Sequence, residues 1–114
     1  MSTYDMAHKL AKKIKNSDEY EYYRDKREKL LADEKAKEML LDYQKKEQQL
    51  QSKHISGEEL TQEEKEEFEN LRNLVQMNTK IKDYLEAEQR VSVMLNDLQR
   101  ILFGDLEFGV LDDK

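Results

Sequence analysis

The sequence predicts an all-α fold, an antiparallel helical bundle of about five helices that includes a long αα-hairpin. Three observations predict it. Ala, Glu, Lys, Leu and Arg contribute 5, 16, 15, 15 and 5 residues, about half the chain, a level found in long helices and coiled coils. There is no Pro and only 3 Gly to interrupt them. Apolar residues recur at i, i+3, i+4 and i+7, and nowhere with the alternation of a strand.

The elements follow in order. Ala7, Leu10, Ala11 and Ile14 give a first helix over 3–15 one buried face. Asn16-Ser17-Asp18-Glu19 reads as a break and restart, with Asn16 capping a second helix over 17–31 and Glu19 closing a capping box. That helix carries Tyr20, Tyr23, Leu30 and Leu31. Asp33 caps a third helix over 33–54, marked by Ala36, Met39, Leu40, Tyr43 and Leu50; after Tyr43, Lys46, Glu47 and Lys53 take stripe positions, so this stretch is expected to project from the body or to pair with another helix along a narrow seam. Gly57 can adopt the left-handed conformation that closes a helix. Thr61-Gln62-Glu63-Glu64 is a capping box for a fourth helix over 61–77 with Phe68, Leu71, Leu74 and Val75. The short connection makes helices three and four antiparallel neighbours. Asn78 interrupts, and 79–103 forms the longest helix, with Ile81, Tyr84, Leu85, Val91, Met94, Leu95, Leu98, Ile101 and Leu102 on a wide stripe broken by Glu88. Residues 1–103 make one helical domain. Residues 104–114 form an acidic tail holding Leu106, Phe108, Val110 and Leu111.

Leu, Ile, Val and Phe sum to 26 of 114 residues, only slightly above the roughly 20% below which highly charged chains stay disordered. The core is therefore thin, and packing against a second copy would help it. Met39, Leu40, Tyr43, Leu71, Val91, Leu95 and Leu98 are the candidate core or dimer stripe, with Leu71 and Leu98 expected on facing helices. A symmetric homodimer is the expected assembly.

Composition also excludes chemistry. With no Cys, disulfides, thiolate nucleophiles and cysteine-ligated metal centres are ruled out. No apolar run approaches the roughly 20 residues of a membrane span, and the N-terminus lacks a signal peptide's apolar region, so a cytoplasmic protein is expected. The net charge of -6 disfavours nucleic acid as the main partner. Asp5-x-x-His8 has chelating spacing, but a di-iron bundle needs two such motifs and more Glu. No nucleophile–base pair or phosphate loop is present, so neither an enzyme nor a cofactor is expected. Tyr20, Tyr22 and Tyr23 beside Arg24, Lys26 and Arg27 supply the alternative: direct RNA binding through the 20–27 patch and the basic first helix. Five acids within 18–28 neutralise that patch. A membrane-surface role for the first helix lacks Trp and Phe. Glu58, Glu59, Glu63 and Glu64 at the hairpin tip are the candidate docking site for a protein that presents Lys or Arg; an acidic helix start complementing the dipole is the competing explanation.

The order of these features resembles a known family. Ser17-Asp18-Glu19-Tyr20-Glu21-Tyr22-Tyr23 is followed by Leu31-Ala32-Asp33-Glu34-Lys35-Ala36 and Leu41-Asp42-Tyr43-Gln44, then Gln48-Gln49-Leu50-Gln51. Gly57, Leu60-Thr61-Gln62-Glu63-Glu64, Asn78, Tyr84-Leu85-Glu86-Ala87-Glu88 and Leu95-Asn96-Asp97-Leu98-Gln99-Arg100-Ile101-Leu102 complete it. Over nearly its whole length the chain resembles the YlbF/YmcA family of small helical proteins from Gram-positive bacteria, particularly the UPF0342-type members. The resemblance implies an all-α, often dimeric, cytoplasmic protein. It also implies a regulatory role in competence, sporulation or biofilm formation, within a complex connected with a ribonuclease and mRNA maturation. Some relatives carry cysteines linked to iron–sulfur binding; without Cys, that property does not carry over. No catalytic residue is implied.

Overall fold

The computed structural model describes residues 2–109 and 111, so the expectations placed on Val110, Asp112 and Asp113 lie outside the described residues. Among the described residues five helices follow one another: α1 (Thr3–Lys15), α2 (Asp18–Leu31), α3 (Glu34–Ser56), α4 (Gln62–Met77) and α5 (Thr79–Phe103). Among the described residues there is no strand.

Each helix starts at a side-chain cap. Ser2 caps α1: its Oγ accepts from the Asp5 N–H at 3.1 Å, and the Asp5 carboxylate accepts from the Ser2 N–H at 3.4 Å. At the next junction the cap sits one residue later than the sequence pattern indicates. Asn16 closes α1, and Ser17 caps α2. The Ser17 hydroxyl donates to the Ile14 carbonyl at 2.6 Å while accepting from the Tyr20 N–H at 3.2 Å. One small group thus satisfies an orphan acceptor and an orphan donor in a two-residue turn, with no need for Glu19. Asp33 caps α3 as expected, accepting from the Ala36 N–H at 3.1 Å, and its other oxygen accepts from Lys80 Nζ at 3.1 Å. Gly57 closes α3 with φ of 78°. Thr61 and Glu64 form the reciprocal box that opens α4, and Asn78 both ends α4 and caps α5 through the Ile81 N–H.

The core forms where four helices converge. Leu30 of α2, Ala36 and Leu40 of α3, Val75 of α4 and Ile81 of α5 make one buried cluster, with Met39, Tyr43, Tyr84 and Leu85 packed around it. α5 packs chiefly along α2. Tyr23 meets Tyr84, Lys26 meets Asp83, and Tyr22 lies against Arg90, so numbers rise on one helix as they fall on the other and the pair is antiparallel. Leu71 and Leu98 are both half-buried, and Leu98 lines a groove beside Glu19 of α2.

The molecule is flat and spread, 55 × 44 × 16 Å, with a radius of gyration of 19.2 Å; a compact chain of this length has about 13 Å. Its accessible surface is 9799 Å², against about 6,600 Å² for a compact monomer of this mass, an excess of about 3,200 Å². Among the described residues, only six apolar ones are buried. The helices exist because they are well capped and of high propensity, while their apolar faces outnumber the partners available within one chain.

Candidate interaction surface

The hairpin projects because its ties are internal. Beyond Leu40 no residue of α3 is buried. Tyr43 stacks on Phe68 with ring centroids 5.3 Å apart, and Lys46 pairs with Glu67 at 3.3 Å. Lys53 then pairs with Glu64 near the tip. These rungs join α3 to α4 and leave the outer faces to solvent.

At the tip, the four candidate docking glutamates divide. Glu58, Glu59 and Glu63 are exposed. Glu64 is half-buried: one oxygen completes the Thr61 cap and the other meets Lys53. The Lys53 ammonium, followed by the Thr61 N–H, holds its carboxyl below the usual carboxylate range. Glu64 is thereby committed to the hairpin, and three acids remain free to face a partner.

The candidate stripe also divides. Leu40 is buried, Met39 and Tyr43 pack on the core, and Leu71, Val91 and Leu98 are half-buried. Leu95 is 46% exposed, and beyond it Ile101, Leu102 and Phe103 are exposed as well. The C-terminal third of α5 therefore carries a bare apolar stripe. A second bare helix is α1, which touches only α2 among the described residues and has no buried residue. Tyr4 and Met6 stand exposed on it. Leu106, Phe108 and Leu111 continue the exposed apolar set past α5.

The 20–27 patch is engaged internally. Tyr20, Tyr23 and Tyr84 form a run of tilted rings with centroids 5.9 and 5.6 Å apart. Arg24 lies over Tyr20, and Tyr22 is held between Lys26 and Arg90, each about 5 Å from its centroid. The Tyr84 hydroxyl donates to Glu88 Oε2 at 3.1 Å, which explains how the α5 stripe tolerates a glutamate: its carboxylate serves a phenol. Burial first, then the Tyr23 hydroxyl and Glu88, push the Tyr84 phenol far above its ordinary value. On α1, Lys9, Lys12 and Lys13 line one shallow cleft and pair with no acid among the described residues.

Asp5, the carboxylate of the D-x-x-H spacing, is spent on the Ser2 cap. Among the described residues no three His, Asp or Glu side chains gather as a metal site, and no helix is long and apolar enough to cross a membrane.

Sequence comparison places the chain. The profile of the family described as "Control of competence regulator ComK, YlbF/YmcA" matches residues 3–107. The chain belongs to the YlbF/YmcA family. Within it, a UPF0342 protein of Halothermothrix orenii is 50% identical over 114 residues, covering 100% of this chain and 97% of that one. A UPF0342 protein of Bacillus velezensis is 42% identical over 104 residues, 91% of this chain and 90% of the other. The fold recurs in a protein of unknown function (DUF964) from Bacillus stearothermophilus, with a TM-score of 0.74 and 23% identity over 89% of each chain. It recurs again in Bacillus subtilis RicA, solved in complex with RicF, with a TM-score of 0.67 and 22% identity over 89% of each chain. The family is thus linked to competence control, and at least one protein of this fold assembles with another protein.

Proposed function

We propose that this protein is a non-enzymatic interaction subunit of the cytoplasm that self-associates as a homodimer and binds other proteins through helix faces. Its regulatory output falls on competence, sporulation or biofilm pathways, through a ribonuclease-associated complex that matures mRNA. The observation that carries the reading is the excess of about 3,200 Å² of surface over a compact monomer of this mass. Burying half of that excess on each of two chains makes an interface of about 3,200 Å², within the range of obligate assemblies. The match to a family named for competence control, and the RicA structure with its RicF partner, support the regulatory part. Direct RNA binding has one supporting observation, the unpartnered basic face of α1, but the tyrosines that would stack on bases are engaged by α5 and by neighbouring cations.

The test is affinity purification of the tagged full chain from its native cell with mass spectrometry, before and after ribonuclease treatment, beside light scattering of the pure protein. Proteins retained through ribonuclease treatment and a dimer mass support the reading. Salt-sensitive RNA retention without a protein partner overturns it in favour of the RNA alternative.

A further inference from the structure

We infer that two copies of this chain assemble by exchanging α1: the apolar stripe of α1 in each copy lies on the bare C-terminal third of α5 in the other. The inference rests on the self-association proposed above and names the surfaces that carry it.

Four observations lead there. The two faces, which the chain itself covers only in part (Ala7, Leu95 and Leu102 exposed, Leu10, Ile14 and Leu98 half-buried), match in periodicity and length. α1 presents Ala7, Leu10 and Ile14, at the 3- and 4-residue steps of a helix seam, and α5 presents Leu95, Leu98 and Leu102 at the same steps. Each seam runs about 11 Å along its axis. Second, the charges complement. Residues 3–15 carry four lysines against Asp5, whereas residues 97–107 carry Asp97, Asp105 and Glu107 against Arg100. Third, the turn between α1 and α2 is held against folding back. It spans two residues, and Ser17 bonds both helices, donating to the Ile14 carbonyl from its hydroxyl and from its N–H at 3.1 Å while capping Tyr20. Arg24 adds a bond to the Lys15 carbonyl at 3.4 Å. The fixed turn leaves α1 touching α2 alone, so the helix that covers the α5 stripe comes from another molecule. Fourth, the start of α2, just past the turn from α1, neighbours the α5 stripe: Glu19 lines a groove with Val93, Met94 and Leu98, edged by Gln89, Arg90 and Asp97. A surface that carries both a knob and its complement side by side is self-complementary, and a two-fold axis buries both pairs at once.

The absence of cysteine makes the test clean. A tagged chain carrying Leu10→Cys is mixed with an untagged chain carrying Leu95→Cys, Leu98→Cys or Leu102→Cys, three positions to allow for register, and oxidised. A mixed tagged–untagged disulfide at one of the three is the expected product. In parallel, Leu10→Asp with Ile14→Asp is expected to raise the dimer dissociation constant at least 100-fold while circular dichroism remains helical; Leu10→Ala with Ile14→Ala serves if the aspartates unfold the chain. A double Leu10→Cys, Leu98→Cys chain that closes on itself, with no mixed product, overturns the exchange in favour of fold-back. A dimer that forms none of the three mixed disulfides and ignores both α1 variants also overturns the exchange, yet leaves self-association standing. A monomer at every concentration overturns both.

Discussion

Ile81 offers the most direct measure of how this chain is held together. It is wholly buried, the largest side chain so enclosed, and it sits in the cluster that α2, α3, α4 and α5 share. Its backbone N–H, bonded to Asn78 Oδ1 at 3.1 Å, caps α5, and that bond survives any side-chain change. Ile81→Ala removes three carbons, worth about 2.4 kcal/mol in transfer at about 0.8 kcal/mol each. The void left behind brings such changes into a range of about 2–5 kcal/mol. Alanine's better helix propensity returns only about 0.4 kcal/mol. A net loss of about 3–4 kcal/mol is therefore expected, a large part of a stability of about 5–15 kcal/mol. For a chain of this length it lowers Tm by about 12–16 °C. Thermal melts by circular dichroism at matched concentration measure it, with Ile81→Val as the graded control at about 1 kcal/mol. A fall of under about 3 °C for Ile81→Ala would refute the claim that this cluster is the core.

Four further outcomes are expected. Gly57→Ala has open space for its Cβ but a φ of 78°, so it should cost about 1 kcal/mol by urea titration through backbone strain alone. Asp33 is held below the usual carboxylate range, first by the Ala36 N–H and then by Lys80. A depressed carboxylate stabilises above its unfolded value and loses that contribution as pH falls through the folded one. Asp33→Asn, which keeps the cap but cannot ionise or pair with Lys80, should therefore lower the melting temperature slightly at neutral pH and flatten its decline below about pH 4. Glu58→Lys with Glu59→Lys and Glu63→Lys, sparing the structural Glu64, should slow association with a recovered partner at low salt and leave helix content intact; equal rates would leave the tip only a capping role. Finally, Tm of the wild type should rise with protein concentration across the micromolar range, since anything that binds only the folded state stabilises it by mass action.

What could be foreseen from the residues depends on the range of the interaction. Helix existence was legible because propensity, capping and 3.6-residue periodicity are local. Asp33, Gly57, Thr61 and Asn78 each act within a few residues of themselves, and each sits where the pattern places it. Ser17 displaced Asn16 because two polar residues compete for one turn, and the hydroxyl's ability to donate and accept at once decides it. Pairing between helices was less legible. The periodicity of α5 shows that its face is apolar but not which helix meets it, and α2, with few aliphatic residues, gave little sign of being the chief partner. That pairing rests on Tyr23 with Tyr84 and on Tyr22 with Arg90, contacts between residues some sixty or more positions apart in sequence. Ala87 is wholly buried, yet a lone alanine in a helix rich in larger apolar residues carries no signal. The candidate docking acids were visible as an acidic cluster, but only the geometry separates Glu64 from the others.

The thinness of the core and the bareness of α1 and α5 have one cause. A 114-residue chain with 26 strong aliphatic and Phe residues could place most of them in one compact core, but here they are spread along five amphipathic helices, 13 to 25 residues long. Long helices cannot turn their ends inward: α5 runs about 37 Å, and its last third passes beyond the helix that covers its first two-thirds. The stripe continues in the sequence past that point, through Ile101 and Leu102, both exposed. On the proposal above, another molecule completes that apolar periodicity. Folding and assembly then draw on the same helices, and changes at α1 or late α5 should register as loss of partner before loss of fold.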